Sequence, residues 1–208
     1  MRESVDQKLI AEMGKISLSM FRKNFFGVFH GSISAKLGDN RFLINKRDAI
    51  FDEINEDSLI TLYHARDYRW REASLDSQIH SSIYQNISEA KYVAYCLPPF
   101  TMAYALRFNK IVPQDYFGSI FFRSIEVYNP RDFETWYERA DVEIYRYMKE
   151  KRLKAMVIRG YGVYLLERNI NQLAKVMAVI ENSCRILYLA ATLDGTHGVQ
   201  SCDVPYMI

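Results

Sequence analysis

The chain has 208 residues, 49% of them apolar and 25% charged, and carries a formal charge of +2 at pH 7. That length suits one domain with a full-sized core, and so small a charge excludes non-specific nucleic-acid or membrane binding driven by electrostatics. No apolar run of about 18 residues interrupts the sequence, so no membrane-spanning helix is expected, and three cysteines without repeated spacing (Cys96, Cys184, Cys202) fit reduced thiols in a cytoplasmic protein.

The first residues, Met1-Arg2-Glu3-Ser4-Val5-Asp6-Gln7, are charged and lack the apolar centre of a signal peptide. Val5, Leu9, Met13, Ile16 and Met20 then recur at helical spacing and predict an amphipathic helix over roughly residues 4–22. Ser32-Ile33-Ser34-Ala35-Lys36 and Arg41-Phe42-Leu43-Ile44-Asn45 flank Gly38-Asp39-Asn40, the pattern of a β-hairpin. Leu59-Ile60-Thr61-Leu62-Tyr63 is a further strand. A helix is expected to start near Ser74, with Leu75, Ile79 and Ile83 on one face. Residues 91–96 read as a buried strand stopped by Pro98-Pro99, and these prolines suit the first turn of a helix over residues 101–108.

Residues 119–127 are apolar and β-prone. Asp132 is expected to open a long helix with Phe133, Trp136, Ala140, Ile144 and Tyr147 as its inner stripe. Ala155-Met156-Val157-Ile158 and Val163-Tyr164-Leu165-Leu166 read as strands joined by a Gly160-Tyr161-Gly162 turn, and a last helix covers about residues 169–191. The mixture of strands and helices places the chain in the α/β layered class. Aromatics are the one compositional excess, 15 Tyr and 12 Phe. Tyr68-Arg69-Trp70-Arg71 interleaves them with arginine, a pattern able to stack on bases. The only accompanying basic cluster, Lys149-Glu150-Lys151-Arg152-Leu153-Lys154, reads as the charged end of a helix, so the aromatics are assigned to the core and to a subunit interface and no nucleic-acid partner is expected.

Five blocks, in order, carry a resemblance. They are Phe29-His30-Gly31-Ser32-Ile33-Ser34-Ala35, Arg41-Phe42-Leu43-Ile44-Asn45, residues 73–84 from Ala73-Ser74-Leu75-Asp76 through His80 to Tyr84, Tyr95-Cys96-Leu97-Pro98-Pro99-Phe100, and Arg159-Gly160-Tyr161-Gly162-Val163. Together, over roughly residues 8–191, they resemble the class II aldolase/adducin family, which includes sugar-phosphate aldolases and epimerases and the adducin head domain. The resemblance implies a three-layer α/β/α fold with a central, largely antiparallel mixed sheet. It also implies one domain over residues 1–208, with a tail from residue 192 in which Tyr206 matches a tyrosine that some family tails bring to the site. It further implies a homo-oligomer, a tetramer in the family, with sites between subunits.

In that family a Gly-Asn-x-Ser turn and a Ser-Ser pair hold a substrate phosphate, and the positions matching this corner are Gly31, Ser32, Asn45 and Ser74. Leu75, with no hydrogen to donate, stands where the second serine would. Lys46 and Arg47 follow Asn45 and would strengthen anion binding or lie solvated in a loop. Asp76 matches the carboxylate that moves protons beside the metal. His80, one turn further on, is expected to be structural.

Three histidines hold zinc in the family, two of them in His-x-His-Pro-Pro. Here Tyr95, Leu97 and Tyr161 occupy the three ligand positions, while Pro98-Pro99 remain. Leucine has no lone pair and a neutral phenol is a poor zinc ligand. No cofactor is therefore expected, with zinc only if other ligands rebuild the site. Cys96 lies between two of the replaced positions, but strand alternation turns it to the opposite face. The expected function is that of a metal-free, non-catalytic member binding a phosphorylated small molecule or a protein partner. The alternative is an active sugar-phosphate aldolase or epimerase that uses Asp76.

Overall fold

The computed structural model describes residues 5–28 and 30–196. Helix α1 (Gln7–Arg22) starts behind Asp6, whose carboxylate accepts from the Lys8 amide at 2.9 Å. It buries Ile10, Met13, Ile16 and Met20; of the expected stripe Met13, Ile16 and Met20 are inside, whereas Val5 precedes the helix, Leu9 is only partly buried and Ile10 takes the inner place. Then follow β1 (Ser32–Lys36), β2 (Arg41–Asn45), β3 (Leu59–Tyr63), α2 (Ser77–Asn86), β4 (Tyr92–Cys96) and α3 (Pro99–Arg107). The second half contains β5 (Lys110–Ile111), α4 (Tyr116–Phe121), β6 (Ile125–Tyr128), α5 (Trp136–Glu150), β7 (Ala155–Ile158), β8 (Gly162–Glu167) and α6 (Ile170–Thr196).

The strands form one sheet in the order β3-β2-β1-β4-β8-β7-β6-β5. Only β6 and β7 pair in parallel; the other neighbours are antiparallel. Helices cover both faces. On one side Met13 and Met20 of α1 and Leu173, Met177 and Ile180 of α6 pack on Ile33, Ala94, Cys96 and Val163. On the other, Ile79 and Ile83 of α2 and Trp136, Ala140, Ile144 and Met148 of α5 pack on Val93, Met156, Tyr164 and Leu166. The architecture is the expected three-layer α/β/α arrangement around a mixed, largely antiparallel sheet.

α6 also anchors the starts of two other helices. The buried Glu181 carboxylate accepts from the Phe100 amide at 2.9 Å, the Thr101 amide at 2.8 Å and the Thr101 hydroxyl at 2.7 Å, which satisfies the first turn of α3. Ser183 donates to Asp115, the residue whose carboxylate caps α4 through the Gly118 amide at 2.8 Å.

Several expectations are corrected. The stretch 119–127 is expected as strand, but its first residues end α4. The Asp115 cap and the close seat of Gly118 on α6, where a Cβ would come within 2.3 Å of Ser183 Oγ, outweigh local β propensity. α5 begins at Trp136; Phe133 lies before it and is 55% exposed. Met148 completes its inner stripe, with Tyr147 only partly buried. Leu75 is 61% exposed and precedes α2, so it is not on that helix's inner face.

Among the described residues α6 is one helix long and apolar enough to cross a bilayer, over Ile170–Leu193. The expectation that no such helix exists is therefore corrected: Glu181, Asn182 and Arg185 break the apolar run without lowering its average enough. Leu173, Val176, Met177, Ile180 and Cys184 on its inner side belong to the core. His197, Cys202 and Tyr206 lie outside the described residues.

Candidate functional site

Three neighbouring strands put three polar side chains in one row. Ser32 on β1 lies opposite Tyr95 on β4, and Tyr95 lies opposite Tyr164 on β8. Directly opposed residues share a face, and this row faces α2. On that helix and its lead-in, Asp76, His80 and Tyr84 recur every four residues and point back at the sheet.

Gly31 enters the row in a left-handed conformation, with φ +129°, and a Cβ there would lie 2.6 Å from the Phe26 ring. Glycine is required at that position. Ser32 is fully buried, and its hydroxyl meets His80 Nε2 at 2.8 Å. His80 Nδ1 meets the Ser34 hydroxyl at 2.6 Å, which in turn meets the Tyr84 hydroxyl at 2.7 Å. Burial pushes His80 down to about 3, so the ring is neutral at pH 7. One of its nitrogens then donates, the other accepts, and each serine hydroxyl turns to match.

Asp76 sits at the start of α2 and is also buried. The Tyr164 hydroxyl donates to its Oδ1 at 3.1 Å, and Ser32 bonds to the same carboxyl. Burial raises the Asp76 carboxyl above its usual range, against the opposing pull of these two donors. The network therefore runs unbroken from Tyr84 through Ser34, His80 and Ser32 to Asp76 and Tyr164.

Asn45 ties the neighbouring loop in place. Its side chain accepts from the Ile33 amide at 2.9 Å and donates to the Lys46 carbonyl at 3.0 Å, while its own carbonyl accepts from the Ser74 amide at 3.0 Å. Ser74 receives the Asp76 amide on its hydroxyl at 3.3 Å. Gly31, Ser32, Asn45, Ser74 and Asp76 are thus gathered at one corner, but the Ser32 hydroxyl and the Asn45 amide are engaged within the protein. Lys46 and Arg47 line a different cleft, of about 510 Å³, together with Asp48, Glu53, Asp57 and Glu72.

The three positions matching the zinc ligands are filled by apolar and phenolic bulk. The Tyr95 hydroxyl donates to the Tyr161 carbonyl at 2.6 Å. Its ring stacks on Tyr164 at 4.9 Å and tilts against Tyr161 at 5.1 Å, and Trp136 meets Tyr161 edge-on at 5.7 Å. Gly162 makes room for this: a Cβ there would fall 2.2 Å from the Tyr95 ring. Leu97 is partly buried just beyond β4, with its amide donating to Phe25 at 2.8 Å. Cys96 faces the other core, as alternation predicts, and burial raises its thiol.

This donor set does not fit zinc. Two neutral phenols, a leucine and one carboxylate offer none of the three nitrogen or sulfur donors that tetrahedral zinc takes. Burial also raises the Tyr95 and Tyr161 hydroxyls, so neither is a ready phenolate. Among the described residues no group of three His, Cys, Asp or Glu side chains comes together to hold a metal.

Four participants escaped the sequence reading: Ser34, Tyr84, Tyr164 and Trp136. The signal for Ser34 and Tyr84 was present. Ser32-Ile33-Ser34 alternates polar and apolar residues inside a strand, and Tyr84 continues the four-residue spacing of Asp76 and His80. Tyr164, inside Val163-Tyr164-Leu165-Leu166, looks like any core aromatic.

Fold and site together mark a class II aldolase-type domain. Residues 11–188 match the profile of the Class II Aldolase and Adducin N-terminal domain, and the chain belongs to that family. Among solved structures it is similar to L-fuculose-1-phosphate aldolase from Thermus thermophilus, with a TM-score of 0.82 and 18% identity over 93% of this chain and 99% of that one. YgbL from Escherichia coli gives 0.73 and 15% over 97% and 96%, and a sugar-phosphate aldolase from Thermotoga maritima gives 0.73 and 15% over 93% and 97%. Compared with curated protein sequences, the chain has no match.

Proposed function

We propose that this chain is a metal-free, non-catalytic member of its family that binds a phosphorylated small molecule at the corner formed by Gly31, Ser32, Asn45 and Ser74. One observation carries the reading: Tyr95, Leu97 and Tyr161 stand at all three positions matched to the zinc ligands, and Tyr95 fills the space beside Gly162 and locks onto the Tyr161 carbonyl. Without a cation, the charge that accumulates on an enediolate oxygen has no counterpart. The start of α2, with its dipole and the glycine turn beside it, keeps a setting that favours an anion. Burial that raises the Asp76 carboxyl lowers the negative charge at that spot. The domain spans the whole chain, and the protein is a cytoplasmic homo-oligomer, a tetramer by likeness to the family.

Metal analysis of the purified protein tests the metal-free part, and stoichiometric zinc, manganese or cobalt overturns it. Calorimetric titration with sugar phosphates tests the binding part: a Ser74→Ala change is expected to weaken binding, and an unchanged affinity removes the assignment. Mass measurement in solution decides the oligomer. A second reading rests on Asp76, a buried carboxyl with two hydroxyl donors. It makes the protein an active aldolase or epimerase, in which Asp76 moves the proton. That reading requires turnover of a phosphorylated ketose that disappears in Asp76→Asn, and silence across a sugar-phosphate panel rejects it.

A further inference from the structure

β4 and β8 have a second end. At the first, Cys96 lies opposite Val163 beside the tyrosine cluster; at the other, Tyr92 lies opposite Glu167. About 13 Å of strand separates them. Against this far end lies a cleft of about 750 Å³, walled by residues 86–89 before β4, by Met148 and Lys149 at the end of α5 with residues 152–154 beyond it, and by residues 166–168 at the end of β8. Its floor contains the buried Met148 and Leu166.

Four cations line it, Lys149, Arg152, Lys154 and Arg168, against the carboxylates Glu89 and Glu167. Lys154 donates to Glu167 at 2.7 Å, so that pair is neutral. Glu89 is held below its usual range by its own backbone amide and Ser88, with Arg168 and Arg152 adding to the pull. Two positive charges remain in excess.

Arg152 is also in an unfavourable backbone conformation. It follows the last residues of α5 with φ +52°, while Leu153 donates to the Met148 carbonyl at 2.8 Å and Arg152 to the Lys149 carbonyl at 3.2 Å. This is the Schellman ending, whose left-handed position ordinarily belongs to glycine. The dipole of α5 accounts for cations at its own end. It accounts neither for Arg168, which follows β8, nor for an arginine where glycine is less strained. Strain kept in place is a pointer to use.

We propose that this cleft is a second binding site, for a small phosphate monoester with an apolar body. The forked guanidinium groups of Arg152 and Arg168 hold the phosphate, Lys149 adds charge, and the body rests on Met148 and Leu166. The site is remote from the Gly31–Ser74 corner and does not depend on it.

Phenyl phosphate is the probe, titrated into the full-length protein by calorimetry at low and moderate salt, with inorganic phosphate as comparison. Saturable binding is expected, tighter than for inorganic phosphate and weakened by salt. Arg152→Gly is expected to lower the affinity about tenfold or more while raising Tm, because glycine relieves the left-handed strain. Arg168→Ala is expected to lower it similarly. No binding at millimolar probe overturns the proposal, and so does an affinity unchanged in Arg152→Gly or in Arg168→Ala. Loss of binding in Ser74→Ala overturns it too, by placing the phosphate at the other corner. Intact binding in Ser74→Ala supports it.

Discussion

The two faces of the same strands behave as different materials. On the face toward α1 and α6, Ile33, Ala94, Cys96 and Val163 meet Leu173, Met177 and Ile180, and shape alone holds them together. On the face toward α2, Ser32, Ser34 and Tyr164 meet Asp76, His80 and Tyr84 through a continuous chain of hydrogen bonds, and Tyr95 joins them by stacking on Tyr164. Strand alternation separates the two at a single residue step, as between Tyr95 and Cys96. Two of the three replaced ligand positions, Tyr95 and Tyr161, contribute to the second face. The first face can therefore keep the fold whatever stands at these positions, because a shared fold does not fix the chemistry grafted on it.

If the comparison is right, damage on the two faces should differ in kind. The largest effect is expected from His80→Ala. It opens an imidazole-sized cavity and strips partners from two buried hydroxyls, with an expected loss of about 4 kcal/mol. Leu173→Ala on the dry face removes only volume, and an expected loss of about 3 kcal/mol follows from the cavity. Urea unfolding midpoints measure both. His80→Ser, small but able to hydrogen-bond, should recover part of the first loss, whereas Leu173→Thr should recover none of the second. Equal behaviour of the two rescues would erase the distinction between the faces.

The dry face was the more legible in sequence. Residues 32–36, 41–45, 59–63 and 155–158 form strands where alternation and flanking turn residues predict them. Helical spacing found Met13, Ile16 and Met20 of the inner stripe of α1 and missed Ile10. Two-residue β5 offers no periodicity to read, and α4 depends on Gly118 fitting against α6, a contact more than 60 residues away in sequence. The wet face was legible only in part. Asp76 and His80 share a helix side by their spacing, but nothing local tells that Tyr164 donates to Asp76. Nor does sequence show that Asn45 spends its side-chain amide on β1 and on the Lys46 carbonyl. Hydroxyl directions are set by tertiary partners, so they appear only once the strands are paired.

Tyr95→Phe is a milder test of the wet face. It keeps the stacking on Tyr164 and removes only the bond to the Tyr161 carbonyl, so a loss of about 1 kcal/mol is expected. No loss would mean that ring packing alone holds Tyr95 and Tyr161 in place.

Asp76→Asn should have the opposite sign. Burial holds the Asp76 carboxyl above its ordinary 3.8, so the folded protein binds that proton more tightly than the unfolded chain does. The contribution of Asp76 to stability therefore falls as pH rises from 3.8 through the raised folded value. Asparagine does not titrate. Relative to the parent, the variant should gain stability as pH climbs from 3 to 7 and hold its smallest advantage at the acid end. His80, which burial depresses, titrates in both proteins and cancels in the difference. Paired urea midpoints across that range measure the trend. A relative gain by the parent with rising pH would mean that Ser32 and Tyr164 stabilise the carboxylate more than burial opposes it. The wet face would then be built to hold a negative charge, and a cation, rather than a phosphate, would be its natural guest.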